Sequence, residues 1–324
     1  MSDLVVIVPG GLNTDIIGMG VNRIIGAGEL TLGGRLKIGP GGKARNMAQM
    51  AAAYLGKGKV AMIGRSSRDP FGFWRLPIKS LQEAGVDIRA VKIFNFKETG
   101  GTYPGIALIP VDVNGRNQIY VLPGVNNDFC KQDLDDASAL FMNPTRKKIM
   151  LLALEIPLST ALYATQKAAE NGIRVVLDPG GINEPIDEFL NDRIFILKPN
   201  EYEAQIISGV AIRDFHTARK AAKIILEKGV KNVLITHGEK GAYLFNREIQ
   251  VHIPVPSLTD SGVHDETGCG DQVTALIAAG LAEGLDLLTA ARLAILGGTM
   301  QFYRSGIQPV ERSQLEKEWK RMNT

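Results

Sequence analysis

Cysteine is nearly missing from this chain of 324 residues: Cys130 and Cys269 are the only two, far apart and with no pairing pattern. That excludes a disulfide framework and makes a reducing cytoplasm the expected location. The four histidines, His216, His237, His252 and His264, lack metal-ligand spacing, which argues against a structural zinc. No block of one charge occurs: 37 basic and 34 acidic side chains leave a net charge of +3. Neither nucleic acid nor a membrane surface is therefore an expected partner. No stretch approaches the roughly 20 apolar residues that cross a bilayer. The opening run Leu4-Val5-Val6-Ile7-Val8 is too short for a signal-peptide core and reads as a buried strand closed by Pro9-Gly10-Gly11. Internal repeats and low-complexity tracts are absent. So is a Gly-x-Gly-x-x-Gly opening a helix after that first strand, which argues against a dinucleotide-binding dehydrogenase.

What is present is the balance of a globular enzyme, with 45% hydrophobic and 22% charged residues. Short apolar runs alternate with helical patterns. Leu4–Val8, Val60–Ile63, Ile149–Leu154, Arg174–Leu177, Ile194–Leu197 and Asn232–Thr236 read as strands. Asn46–Leu55, Ser159–Asn171 and Asp214–Lys228 read as helices, each closed by a glycine (Gly56, Gly172, Gly229) that can take positive φ. Strands apolar on both faces and separated by helices predict a doubly wound, mostly parallel α/β sheet in one domain spanning 1–324. Two segments, about 14–39 and 97–122, break the rhythm. In the second, Gly105–Ile109 and Gln118–Leu122 flank Asn114-Gly115, a hairpin signal. Both are expected to form a small β lid outside the main sheet.

The most informative segment is Asp265-Glu266-Thr267-Gly268-Cys269-Gly270-Asp271, running straight into an apolar helical pattern from Gln272 to Glu283. Glycines let the backbone approach a ligand, and a helix starting there directs N–H groups and positive dipole at it. Such a site suits the charge on a transferring phosphoryl group. Asp271, held at the first turn, is placed to accept a proton from an attacking hydroxyl. Read alone, the same glycines could simply shape a turn that Asp271 caps.

This motif resembles the C-terminal signature of the ribokinase family, the PfkB-type carbohydrate kinases. The resemblance implies a ribokinase-like fold, ATP and Mg²⁺ as cofactors, Asp271 as catalytic base, and Gly268, Cys269 and Gly270 as an anion hole. The family usually has alanine where Cys269 stands; cysteine is small enough to preserve the backbone role. Gly41-Gly42-Lys43-Ala44-Arg45-Asn46-Met47-Ala48 resembles the family's N-terminal signature. That match puts Gly41, Gly42, Lys43 and Asn46 on the substrate, with Asn13 and Asp15 beyond the first strand and Glu155 after another. Asn200-Glu201-Tyr202-Glu203 is similar to the Asn-x-x-Glu element, which implies phosphate handling by Asn200 and a magnesium role for Glu203. Thr236-His237-Gly238-Glu239-Lys240-Gly241 looks like the nucleotide loop, placing Thr236, Gly238 and Gly241 near ATP. As isolated residues, Asn200 and Glu203 read equally as a helix cap. Arg304-Ser305-Gly306 resembles a loop that helps hold a monovalent cation in some members, so such an ion stays open here.

The expected activity is ATP-dependent phosphorylation of a hydroxyl on ribose or a similar free sugar. A nucleoside kinase is the alternative, since the family also phosphorylates ribose rings that carry a base. A phosphosugar kinase follows, with Arg45, Arg65 or Arg68 as phosphate binders, although these arginines read more simply as surface charges. A non-catalytic sugar or nucleotide sensor is disfavoured by the intact Asp271. Ala294–Tyr303 shows no clear adenine-contacting side chain. A homodimer through the lid is the expected assembly.

Overall fold

A computed structural model describes residues 4–142 and 147–323. The chain runs β1 (Val6–Pro9), β2 (Asn13–Val21), β3 (Gly33–Gly41), α1 (Lys43–Leu55), β4 (Val60–Arg68), α2 (Arg75–Glu83), β5 (Asp87–Asn95), β6 (Gly105–Asp112), β7 (Tyr120–Leu122), α3 (Lys131–Asp136), α4 (Ser138–Phe141) and β8 (Ile149–Ala153). It continues with α5 (Leu158–Glu170), β9 (Arg174–Asp178), β10 (Ile194–Leu197), α6 (Glu201–Ser208), α7 (Phe215–Glu227), β11 (Val233–Thr236), β12 (Ala242–Phe245), β13 (Gln250–Ile253), α8 (Cys269–Glu283), α9 (Leu287–Phe302) and α10 (Arg312–Asn323).

Nine strands form the main sheet in the order β13-β12-β11-β10-β9-β8-β1-β4-β5. From β11 to β5 every neighbour is parallel; β12 and β13 add an antiparallel edge. The central strands are apolar on both faces because both faces are covered. Along β1, Val6 and Val8 enter one hydrophobic cluster with Met47 of α1, Leu276 of α8 and Leu296 of α9. Ile7 points into the opposite cluster, with Phe129, Leu134 of α3, Ala164 of α5 and Ala221 of α7. The architecture is thus the expected α/β class, a mostly parallel sheet between two helical layers. The chain leaves β1 for strands on either side of it, so the carboxyl end of β1 is a topological switch point, where such sheets bind ligands.

The strand and helix expectations hold to within one to three residues at most ends, apart from β4, which runs on to Arg68. Helix α7 shows the reasons: Asp214 Oδ1 accepts the Thr217 N–H at 2.8 Å, and Gly229 breaks the chain at φ 116°.

A second sheet, β3-β2-β6-β7, stands apart from the first. It arises from the two segments that broke the sequence rhythm, although 97–104 holds turns rather than strand. Register fixes which side chains share a face. Ile38, Ile16, Leu108 and Tyr120 lie directly opposite one another on adjacent strands. Asp15 lies between Gly39 and Ala107, and Asn13 between Gly41 and Gly105, on the alternate face.

Candidate active site

Asp271, in the first turn of α8, is where the start of α1 meets the start of α8. Its Oδ2 accepts the Asn46 Nδ2–H at 2.7 Å and its Oδ1 accepts the Lys43 ammonium at 3.3 Å. Helix α8 can begin here because Gly268, its N-cap, sits in the left-handed region at φ 75°. The N–H of Cys269 turns back to the Glu266 carbonyl at 3.2 Å. Those of Gly268, Gly270 and Asp271 have no protein acceptor among the described residues. These amides lie at the positive end of an apolar 15-residue helix, an arrangement that suits phosphate. Burial, then the charges of Asp265, Glu266 and Asp271, push the Cys269 thiol up to about 12, which removes it as a nucleophile near neutral pH.

Lys43 is the hub. Its backbone N–H donates to Glu155 Oε2 at 2.8 Å, and its ammonium lies 3.8 Å from Asp178 Oδ1. Burial works against its charge, but Asp178, Asp271, Glu155 and Glu203 outweigh burial and hold its pKa well above the ordinary lysine value. The side chain passes where a Cβ on Gly180 would stand, so that glycine makes room for it. Asp178 in turn accepts Lys198 Nζ at 2.7 Å, the Thr274 hydroxyl at 2.9 Å and the Gly180 N–H at 2.9 Å. Burial alone would raise the Asp178 carboxyl; Lys198 and Lys43 outweigh it and hold the carboxyl well below its usual range. Glu155 shows the opposite balance. Burial pushes it up to about 7 although Lys43 opposes, with Asp271 and Asp178 adding to the rise.

Asn13 and Asp15 face this cluster from β2. Burial raises the Asp15 carboxyl to about 6, with Arg45 opposing and Asp271 reinforcing. Gly41 is required beside it, because a Cβ there would collide with the Asp15 carboxylate. Gly42, the N-cap of α1 at φ 92°, lets the backbone pass close to Asn13. Asn13 Oδ1 accepts Asn126 Nδ2–H at 2.8 Å, and Asn126 also bonds the Leu12 backbone through N–H and C=O.

Arg45 corrects the reading of it as a surface charge. It is fully buried, and its guanidinium donates to the Gly41 carbonyl at 3.3 Å, the Pro40 carbonyl at 2.9 Å, and the side chains of Gln49 and Asn46. Burial lowers its pKa to about 10, opposed by Asp15 and Asp271, so it stays charged at neutral pH. By fixing Asn46 Oδ1, Arg45 leaves the Asn46 amide nitrogen aimed at Asp271.

The remaining sequence candidates lie along the next strand ends. Lys198, at the end of β10, reaches the Gly270 carbonyl at 3.5 Å and ties the helix start to Pro199 and Asn200. Asn200 caps α6: its Oδ1 accepts the Glu203 N–H at 2.7 Å while Glu203 Oε2 accepts the Asn200 N–H at 2.9 Å. Asn200 also bridges to Thr236, whose N–H meets the Pro199 carbonyl at 3.0 Å. Gly238 and Gly241 turn the chain at φ 46° and 83°. Asp271, Lys43, Asn46, Glu155, Asp15 and Asn13 thus form one cluster, and Asn200, Glu203, Thr236, Gly238 and Gly241 a track leading from it. Among the described residues no group of three or more His, Cys, Asp or Glu could hold a metal by itself. One buried carboxylate, Glu203, whose charge acts on Lys43, fits Mg²⁺, which keeps most of its waters.

Sequence reasoning passed over Asn126 and Lys198 and left Asp178 without a role. Each acts through a partner 72 to 114 residues distant, a relation that no local spacing carries.

Residues 3–311 match the family described as pfkB family carbohydrate kinase. A ribokinase of Haemophilus influenzae is 33% identical over 72% of each chain. A deoxyribokinase of Salmonella typhi is 29% identical over 89% of each. Among solved structures, Arabidopsis thaliana ribokinase complexed with ribose and ATP superposes with a TM-score of 0.83 at 27% identity, covering 98% of both chains.

Proposed function

The chain belongs to the pfkB family of carbohydrate kinases, and from that premise we propose that it moves the γ-phosphoryl group of ATP onto a hydroxyl of ribose or a similar free sugar. The observation that carries this reading is the clasp on Asp271: Lys43 and Asn46 of the N-terminal signature converge on the last carboxylate of the C-terminal signature. Asp15 and Asn13 approach from the second sheet, so a sugar between them presents a hydroxyl toward Asp271.

Asp271 then accepts the hydroxyl proton as the oxygen attacks in line. Lys43 and the amides of Gly268, Gly270 and Asp271 stabilise the negative charge that builds on the transferring group. Mg²⁺, when bound, neutralises phosphate charge, and Glu203 is the carboxylate that would hold it through water. The track past Asn200 to Thr236, Gly238 and Gly241 takes the nucleotide. The second sheet acts as a lid that excludes water from the transfer.

A phosphosugar acceptor is disfavoured because Arg45 spends its donors on protein oxygens and Arg65 pairs with Asp133 at 2.7 Å, which leaves only Arg68, exposed over the Trp74 ring, of the three arginines. Deoxyribose is the second reading, favoured by the Salmonella relative. The test measures ATP consumption with Mg²⁺ across ribose, 2-deoxyribose, nucleosides and phosphosugars, with Asp271→Asn alongside. Turnover on a free sugar should fall about a thousandfold or more in the variant, while its melting temperature stays close to that of the wild type. Near-normal turnover in Asp271→Asn would remove Asp271 as base. Turnover confined to nucleosides would replace the free sugar as acceptor. A homodimer through the outward face of the second sheet completes the proposal.

A further inference from the structure

Gln301, near the end of α9, is fully buried. Its Nε2 donates to the Thr267 carbonyl at 3.1 Å and to the Gly306 carbonyl at 2.6 Å. Thr267 belongs to the turn that opens α8, and Gly306 to the turn that follows α9. Asp265 binds the same two residues from the other side: its Oδ1 accepts the Thr267 N–H at 2.9 Å and its Oδ2 the Gly306 N–H at 2.7 Å. Thr267 and Gly306 are therefore clasped twice, at their N–H groups by a carboxylate and at their carbonyls by an amide.

Two backbone carbonyls converging on a buried point are what a monovalent cation binds, since carbonyl oxygens can replace its hydration shell. Here the point within hydrogen-bond distance of both oxygens is filled by an NH₂ group, whose two hydrogens serve two acceptors. The carboxamide cannot be turned over, because its oxygen would then face two others. As placed, that Oε1 is buried and has no hydrogen-bond partner among the described residues, a cost borne only by Nε2 keeping both carbonyls. The positive charge that an ion would bring to Asp265 has a protein source too. Lys37, on β3, reaches the backbone of Gly306 so closely that its Nζ would lie 2.9 Å from a Cβ placed there. Burial alone would raise the Asp265 carboxyl, but the hydrogen bonds from Thr267 and Gly306, with the charge of Lys37, outweigh it.

We propose that the Gln301 carboxamide stands in for a monovalent cation, so that this chain keeps the turn ahead of α8 in place without binding such an ion. The family resemblance of Arg304-Ser305-Gly306 raised that ion as an open cofactor, and the donor set does not fit it. Gln301 is accordingly a positioning residue for the phosphate cradle, and this role rests on the kinase reading of Gly268–Asp271. The ion-independence itself does not rest on that reading.

Thermal unfolding tests it without reference to turnover. The full chain is melted in potassium chloride and in tetramethylammonium chloride at equal ionic strength, as wild type and as Gln301→Ala. The wild type should melt at the same temperature in both salts. The variant, its carbonyls uncovered, should melt lower in tetramethylammonium and recover saturably with potassium. A saturable, potassium-specific rise in the wild type would overturn the proposal. So would a folded Gln301→Ala indifferent to potassium. Gln301→Ser replaces the alanine variant if that protein does not fold, and the wild-type comparison decides on its own in either case. For the positioning role, turnover on the sugar found active should be potassium-independent in the wild type and potassium-activated in the variant. If no sugar is turned over, the free-sugar reading fails while the melting result still stands.

Discussion

Glu155 and Asp178 are two carboxylates on neighbouring strand ends whose surroundings push them in opposite directions. Asp178 has Lys198, Thr274, Gly180 and Lys43 around it and is held low; Glu155 has chiefly one backbone N–H and Lys43 against its burial, and is raised to about 7 from 4.5. A raised folded-state value means that the folded chain binds a proton more tightly than the unfolded chain. The stability Glu155 contributes is thus fully present below about pH 4.5 and is lost as pH rises through about 7. Glu155→Gln keeps an acceptor for Lys43 and removes the titration. Its melting temperature relative to wild type should therefore climb from pH 5 to pH 8, and a difference that stays flat would contradict the raised value. The same residue-scale balance explains what sequence could reveal. Asp271 sits in a motif whose spacing carries its chemistry, whereas Lys43, Asn46 and Asp15 were legible only through the resemblance to the family. Arg45 lies inside one of those motifs yet reads as a surface charge, since only the packed structure shows its guanidinium surrounded by the carbonyls of Pro40 and Gly41. One signal was present: Ala44, Ala48, Ala51 and Ala52 recur at helical spacing along one buried face of α1, and Arg45 borders that face, so its charge has to be paired.

Between β3 and α1 the chain makes a joint that the element scale explains. Gly41 ends β3 opposite Asn13, and Gly42 caps α1 with positive φ, so strand and helix meet with no side chain between them. The Asp15 carboxylate fills the space where a Gly41 side chain would stand. Gly41→Ala should displace that carboxylate, raising the KM for sugar by about tenfold or more while the KM for ATP changes by less than about twofold. Equal changes in both would show that the joint serves the fold and not the sugar. Strands were legible in proportion to their burial. The central parallel strands β1, β8, β9 and β10 read as apolar runs because both faces are covered. Strand β13, only partly buried along Gln250–Ile253, carries a weak pattern, and β5 reaches its place only through pairing with β4. Helices α8 and α9 are apolar nearly all round because each is packed on several sides, which erases the one-face signature by which a surface helix is recognised.

Across the whole molecule, the second sheet has one face turned to the candidate site and another turned to solvent. On the outward face Leu36 is 69% exposed, Tyr120 54% and Leu122 51%, in line with Ile38, Ile16 and Leu108 across the four strands. A row of aliphatic and aromatic side chains on a sheet outside the core is the pattern that a covering partner explains. A second copy meets the requirement by twofold symmetry, laying the same row against itself. The charged residues of β3, Arg35 and Lys37, alternate with Leu36 and Ile38 and so belong to the other face, leaving the outward row free of like-charge repulsion. Because Leu36 is exposed in the single chain, Leu36→Lys removes little from the fold itself and opposes only the pairing of two such faces. Light scattering should find the wild type at twice the chain mass and Leu36→Lys at the mass of one chain. If the second sheet closes over the sugar as proposed, the variant, with that sheet released, should also need more sugar for half-maximal rate. A wild type that already runs at the mass of one chain would leave the outward face without a partner and end the dimer proposal.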